Sequence, residues 1–250
     1  MRFLLVNDDG IDAPGIALLE AVAAELASEI WVVAPRDEQS GRAQAVTIAG
    51  SIAVQQRGQT RYAVSGTPVD CVRVALGNLM SDSLPDFVLS GVNGGGNVGV
   101  DVAYSGTCGA AFEGVRMGIP SLAFSQLSKD GGVDFSAARS FLPGLLQQLI
   151  ALKTPPPLLW SVNFPSCPAE EVTGVHSVVQ NDQIREDRLV LLDESGSTQR
   201  FCLPPREPLS PDWLSDVGVV AGKGIAVTPL QPFNGHNADF GKALATRFTL

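Results

Sequence analysis

Short, uninterrupted apolar runs punctuate the chain, and between them apolar positions recur every three or four residues. The first run is Phe3-Leu4-Leu5-Val6, and it ends in Asn7-Asp8-Asp9-Gly10. A continuous apolar run of that length predicts a strand buried on both faces. After a turn at Asp12-Ala13-Pro14-Gly15, the residues Ile16, Leu19, Val22, Ala23 and Leu26 keep helical spacing and predict a helix over 14–27, with Pro14 in its first turn. Ile30-Trp31-Val32-Val33 predicts a second strand over 29–34, closed by Pro35. Strand, helix and strand in this order form a βαβ unit, which implies parallel strands and a right-handed crossover.

The alternation continues. Short strands are expected over 48–54 and 60–64, followed by a helix whose first turn contains Pro68 and whose buried face is Cys71, Val72, Val74, Ala75 and Leu79. Residues 86–90 read as another buried strand, 108–117 as a helix of small residues, 120–125 as a strand, 134–152 as a long helix and 158–164 as one more strand. Such regular alternation predicts a doubly wound, Rossmann-like three-layer α/β/α sandwich on a largely parallel sheet. Thr154-Pro155-Pro156-Pro157 is a stiff connector. Beyond it the pattern changes to β-like segments at 175–180, 188–192, 200–203 and 224–230, separated by charged turns. The expected division is therefore an α/β core over 1–165 and an antiparallel β extension over 166–250 that carries a hairpin and belongs to the same domain.

Composition narrows the classes. A chain of 250 residues with 45% hydrophobic and 17% charged positions suits a soluble globular protein of one large α/β domain, or of one domain plus an appendage. No apolar run approaches the roughly 18 residues that span a bilayer, so no membrane partner is expected. The opening apolar run is too short for a cleavable signal and meets Asn-Asp-Asp at once, which points to a cytoplasmic location. Cys71, Cys108, Cys167 and Cys202 are scattered without a C-x-x-C pair, so neither zinc nor a disulfide framework is expected. A formal net charge of −9 argues against long nucleic acid, which needs a basic face. A small anion would need a local cation or backbone amides to overcome that field.

Three polar loops leave the carboxyl ends of predicted strands, at residues 7–10, 38–41 and 90–99. In open α/β sheets ligands bind at that edge. Asp8 and Asp9 are adjacent carboxylates that repel unless a cation or proton lies between them. The plainer use of the pair is to cap the next helix. Ser40 and Asn93 add a hydroxyl and an amide oxygen, and the only histidines, His176 and His236, lie far downstream. An oxygen-only set selects Mg²⁺, Mn²⁺ or Ca²⁺. Beside it, Gly94-Gly95-Gly96-Asn97 and Ser105-Gly106-Thr107 offer backbone N–H groups and hydroxyls at a helix N-terminus, an anion seat. Cation and anion seat together point to phosphate chemistry.

Several phosphate chemistries drop out. The chain has no Walker loop ending in Gly-Lys-Ser/Thr, no cysteine followed by arginine at C-x₅-R spacing, no Arg-His-Gly and no Asp-x-Asp at the first strand. Gly94-x-Gly96-x-x-Gly99 satisfies the dinucleotide fingerprint, but no acid closes the following strand at Ser125. A receiver domain would need a phosphoacceptor aspartate within 53–66, where there is none. Cys108 at a helix N-terminus stands where a thiol pKa falls, though the same helix needs small buried residues. Asp70 and Asp101 read as structural, Tyr104 and Phe233 as packing residues with base stacking as the alternative, and His176 and His236 as surface or core residues.

Taken in order, Asn7-Asp8-Asp9-Gly10-Ile11 with Ala13-Pro14-Gly15, Val32-Val33-Ala34-Pro35 with Ser40-Gly41, Gly66-Thr67-Pro68-Val69-Asp70-Cys71, Ser90-Gly91-Val92-Asn93-Gly94-Gly95-Gly96-Asn97-Val98-Gly99 with Asp101, and Tyr104-Ser105-Gly106-Thr107 with Ala110-Ala111 and Glu113-Gly114 resemble the stationary-phase survival protein (SurE) family of metal-dependent 5′-nucleotidases. Ser161-Val162-Asn163-Phe164-Pro165 and Val227-Thr228-Pro229-Leu230 extend the likeness. The resemblance implies a Rossmann-like core whose C-terminal extension is exchanged between subunits of a homodimer or homotetramer. It implies hydrolysis of nucleoside 5′-monophosphates by metal-activated water, with 3′-monophosphates and short polyphosphate as further candidate substrates. It also implies one divalent cation per subunit, Mg²⁺ or Mn²⁺, held by Asp8, Asp9, Ser40 and Asn93, with Asp8 and Asp9 catalytic. Asn97, Ser105, Gly106 and Thr107 would hold the phosphate. The chain departs from the family pattern at Asp37-Glu38-Gln39, at Cys108 and at Lys223-Gly224-Ile225-Ala226. Two other readings remain at this stage, a nucleotide-binding sensor without catalysis and an NAD-dependent enzyme.

Overall fold

In the computed structural model, which describes residues 1–129, 131–152, 159–183, 188–203 and 213–231, strand β1 (Arg2–Val6) lies inside a nine-stranded sheet. Phe3, Leu4, Leu5 and Val6 are fully buried, and their alternation divides them between two cores. Phe3 and Leu5 pack with helix α1 (Pro14–Ala23) on one face, while Leu4 and Val6 pack with helix α2 (Pro68–Val74) on the other. A strand covered on both sides has no polar face to show, hence the unbroken apolar run.

From β1 the chain crosses by α1 to β2 (Glu29–Pro35), then reaches the edge through β3 (Val54–Gln56) and β4 (Arg61–Val64). Strand β4 is parallel to β2, and β3 runs antiparallel at the rim. After α2 the direction of growth reverses. Strand β5 (Phe87–Asn93) pairs with the free side of β1, and α3 (Gly106–Arg116), β6 (Ser121–Gln126), α4 (Ser136–Ala151) and β7 (Leu159–Phe164) follow outward. α1 and α4 cover one face and α2 and α3 the other, the expected three layers.

The C-terminal segment completes this sheet. β8 (Val175–Ser177) and β11 (Ile225–Leu230) bring the strand order to β3-β4-β2-β1-β5-β6-β7-β11-β8, with β11 antiparallel to β7 and β8 parallel to β11. β9 (Val190–Ser195) and β10 (Thr198–Cys202) form a separate antiparallel hairpin. Helix α5 (Asp216–Ala221), which the apolar pattern did not signal, packs against β11. It is only 6 residues long, too short to show a period. The strand expected over 48–54 is also shorter than read: Ala49 has φ +58 and the exposed stretch before β3 has no ladder partner. The 154–157 connector lies outside the described residues.

Candidate active site

The strand order reverses between β1 and β5, and at such a switch point the carboxyl ends of neighbouring strands part to leave a crevice. Asp8 and Asp9 follow β1 into it, and Asn93 ends β5. An extra residue in β5 sets the aim of Asn93: Ser90 faces Ala123 while Asn93 faces Ser125, a bulge of the kind that re-aims side chains beside sites. Gly91 makes this possible. It has φ +131, and a Cβ there would lie 2.3 Å from the Phe124 carbonyl oxygen.

Asp8 is only 3% exposed. Its Oδ1 accepts a hydrogen bond from Thr107 Oγ1 at 2.5 Å, and Gly106 packs so closely on it that a Cβ would come within 2.8 Å of Asp8 Cβ. Burial pushes the Asp8 carboxyl up to about 6; the Thr107 hydroxyl pulls it back in part, and the neighbouring Asp9 charge raises it again. Asp9 is raised as well, first by burial and then by Glu38, against the lowering effect of the Gly94 N–H, which donates to Asp9 Oδ2 at 3.0 Å. The third loop is tied in through Gln39, whose N–H donates to the Asp8 carbonyl at 2.7 Å, and Ser40 Oγ donates to Glu38 Oε1 at 2.8 Å. Asn93 Nδ2 donates to the Gly95 carbonyl at 2.8 Å, which leaves its Oδ1 as the atom for a ligand. Asp8, Asp9, Glu38, Ser40 and Asn93 line one cleft of about 280 Å³.

The residues expected to hold phosphate divide into two groups. Asn97 and Ser105 line the cleft, with Asp101 and Tyr104 beside them, whereas Gly106 and Thr107 stand directly behind Asp8. Ser105 is the N-cap of α3 and accepts the Cys108 N–H at 3.0 Å, so the positive end of that helix opens on the cleft. Asn97 is held by residues that the sequence reading did not assign to the site. Its N–H donates to Asn163 Oδ1 at 2.8 Å, Asn163 Nδ2 donates back to its carbonyl at 3.1 Å, and Asn97 Nδ2 donates to Ser125 Oγ at 2.8 Å. Two residues on, the Gly99 N–H donates to Asp216 Oδ2 and Gln180 Nε2 donates to the Gly99 carbonyl. The sequence signals for Asn163 were a polar side chain inside an apolar strand and its place in the Ser161 to Pro165 motif of the family resemblance.

The donor set is two carboxylates, an amide oxygen and a hydroxyl, with neither imidazole nor thiolate. Among the described residues no three His, Cys, Asp or Glu side chains gather as a metal cluster, and no Lys or Arg lines the cleft. A hard divalent cation fits such oxygens, and its charge would offset the mutual repulsion of Asp8, Asp9 and Glu38. The glycine fingerprint leads into a short 3₁₀ turn, Gly99–Ala103, rather than an α-helix, so it offers no helix N-terminus for a pyrophosphate.

Other expectations are settled by burial. Cys108 is fully buried, and burial pushes its thiol up to about 12, the reverse of a reactive cysteine. Tyr104 is 62% exposed on the cleft rim rather than packed in the core. Asp70 is structural: it completes a capping box with Thr67 and accepts both the N–H and hydroxyl of Thr47. His176 on β8 packs against Trp213 with ring centroids 4.9 Å apart. Phe233 and His236 lie outside the described residues.

A family model described as "Survival protein SurE" matches residues 3–187. The "5′-nucleotidase SurE" of Parvibaculum lavamentivorans is 40% identical over 237 residues, covering 92% of this chain and 85% of the relative. That of Erythrobacter litoralis is 46% identical over 182 residues, 72% of each chain. Among solved structures, the SurE protein from Aquifex aeolicus superposes with a TM-score of 0.86 at 29% identity, covering 99% of both chains.

Proposed function

Because the chain belongs to the Survival protein SurE family, we propose that it is a metal-dependent 5′-nucleotidase, a phosphoric monoester hydrolase that converts nucleoside 5′-monophosphates to nucleoside and inorganic phosphate. One observation carries the reading: the acid pair, Asn93 and the N-terminus of α3 meet in a single cleft at the switch point of the sheet. Within this proposal Asp8, Asp9, Ser40 and Asn93 hold one cation, Mg²⁺ or Mn²⁺. When bound, such an ion neutralises phosphate oxygens and makes a water molecule acidic enough to attack.

The chain's own residues do the rest. Asn97, Ser105 and the first backbone amides of α3 at Gly106 and Thr107 receive the phosphate oxygens and stabilise their developing charge. The Thr107 hydroxyl fixes the Asp8 carboxylate, so its side chain serves the acids and only its backbone amide is offered to the anion. Asp9, less buried than Asp8, takes the proton of the attacking water as the new P–O bond forms and the ester P–O bond breaks. The departing alkoxide is protonated from solvent.

The finer readings are proposals too. The exposed apolar hairpin, with Leu189, Leu191, Leu192, Phe201 and Leu203 all about half exposed or more, supports residues 166–250 as the extension through which a homodimer or homotetramer forms. Four free cysteines suit a cytoplasmic location. Among the described residues, no helix is long and apolar enough to cross a membrane. The deciding experiment assays phosphate release from AMP by the wild type, Asp8→Asn and Asp9→Asn, with Mn²⁺ and with EDTA. We expect loss of about 10²–10³-fold, on the order seen for groups acting in the transition state, in either variant and in EDTA. Full activity in any of these would refute the mechanism. AMP binding without phosphate release by the wild type would favour the sensor instead.

A further inference from the structure

A second cleft, of about 370 Å³, opens at the carboxyl ends of β6 and β7, lined by Leu127, Lys129, Val133, Asp134, Ser166 and Cys167 among others. It is a neighbour of the acid cleft. Both lie along one sheet edge, and Gly94 of the acid cleft stands between Asp9 of its own lining and Val133 of the other. A Cβ on Gly94 would lie 3.4 Å from Val133 on one side and 3.7 Å from Asp9 Oδ1 on the other, and a Cβ on Gly96 would meet Leu127 at 2.8 Å. The wall between the clefts is thus bare backbone, three glycines in a row, and it is tight only at Gly96, against Leu127.

We propose that this second cleft seats the nucleoside of the substrate, whose phosphate lies in the acid cleft and whose sugar crosses the glycine loop. The inference rests on the phosphatase reading of the acid cleft and goes beyond it by assigning the wall that selects the leaving group. Three features favour a nucleoside. The volume falls in the range of small-molecule sites, about 300–1,000 Å³. Leu127, Val133 and Pro168 give aliphatic contact for a base, while Lys129, Asp134 and Ser166 offer charged and polar groups to the hydrogen-bonding edges of base and ribose. The acid cleft has no aliphatic side chain in its lining, and its one ring, Tyr104, stands 62% exposed on the rim, so a base there would be left largely in solvent. No aromatic side chain lines the second cleft among the described residues, so base recognition there works by aliphatic contact and polar edges rather than by stacking.

The test uses two readouts on the full chain at saturating Mn²⁺. First, the ratio of kcat/KM for AMP to that for methyl phosphate, whose alcohol is too small to cross the loop, is measured for the wild type, Ser166→Trp and Lys129→Ala. We expect the ratio to fall tenfold or more in Ser166→Trp, from its added bulk, and severalfold in Lys129→Ala. A wild type that does not prefer AMP, or a ratio unchanged in both variants, would overturn the inference while leaving the phosphatase reading intact. Second, 8-azido-AMP is photo-crosslinked to the wild type and the labelled peptides are mapped. Labels within 127–134 or 166–168 support the seat, and labels confined elsewhere overturn it. If neither ester releases phosphate, the hydrolase reading fails, and the crosslink map alone decides the cleft.

Discussion

Gly109 shows how one methyl group can report on the loop that carries Ser40. It lies in the first turns of α3, and Ala43, held at φ +51, is laid against it. The Ala43 N–H donates to the Tyr104 carbonyl at 3.0 Å, and a Cβ on Gly109 would sit 2.3 Å from the Ala43 carbonyl oxygen and 3.0 Å from its carbon. Because relaxed contacts lie near 3.5 Å, Gly109→Ala must drive the loop back by about 1 Å. Helix propensity alone would make the substitution stabilising by about 0.5–1 kcal/mol. Overpacking against backbone costs about 1–3 kcal/mol, so the expected net is a loss of about 1–2 kcal/mol. That corresponds to a fall in Tm of roughly 2–8 °C. Gly144 in α4 is the control, since a Cβ there meets nothing within 4 Å and the same substitution should raise Tm by roughly 1–4 °C. Thermal unfolding followed by circular dichroism reads both. AMP hydrolysis against Mn²⁺ concentration reads the loop: a displacement of about 1 Å at Ser40 should reduce kcat/KM on the order of 10–100-fold. A Gly109→Ala protein as stable as wild type, with unchanged Mn²⁺ dependence, would refute the packing argument.

Other expectations follow from the same geometry. Asn163→Ala orphans the buried N–H and carbonyl of Asn97, and should cost about 1–3 kcal/mol in urea unfolding and lower kcat for AMP more than it raises KM; a variant with unchanged kcat would remove Asn163 from the support of the site. Glu113 is held below its ordinary value of 4.5: burial pushes its carboxyl up, but hydrogen bonds from Arg116 and Arg73 pull it down further. Its contribution is therefore complete above pH 4.5 and lost as pH falls through the folded value. Glu113→Gln should cost about 1–2 kcal/mol at pH 7, discounted because both arginines are nearly half exposed, and the difference from wild type should shrink below about pH 4.5. A constant difference down to pH 3 would contradict the assignment. Cys108, pushed up to about 12 and fully buried, should resist iodoacetamide at pH 8 in the folded protein and react once unfolded. Rapid labelling of the native protein, mapped by mass spectrometry, would show that α3 opens.

Much of this molecule is legible along the chain, for a physical reason. The run Phe3 to Val6 is apolar without interruption because both faces of β1 are covered, and its break into Asn7-Asp8-Asp9 marks where the strand leaves the core. Helix α1 announces itself by its period, and Pro14 marks its first turn. The loops rich in carboxylate and amide stand out because burial in the core does not call for such side chains. Short or edge elements were misread where local pattern is weakest: the segment 48–53 lies outside the ladder, and α5 is too short to display a repeat.

What the residues along the chain could not decide is which polar groups face a ligand and which face one another. Thr107 and Ser105 are two positions apart in the same motif, yet one hydroxyl is bonded to Asp8 and the other caps the helix while lining the cleft. Asn163 is 66 residues from Asn97, and Asp216 117 from Gly99, yet these pairings hold the glycine loop. Hydrogen bonds depend on distances of about 3 Å and on direction, and only the pairing of β7 within the sheet and the packing of α5 against β11 supply either. The sequence by itself determined the chemistry available at the sheet edge. The tertiary structure determined how it is shared out, because a strand order that reverses beside β1 gathers into one cleft groups that the chain keeps some 85 residues apart, from Asp9 to Gly94.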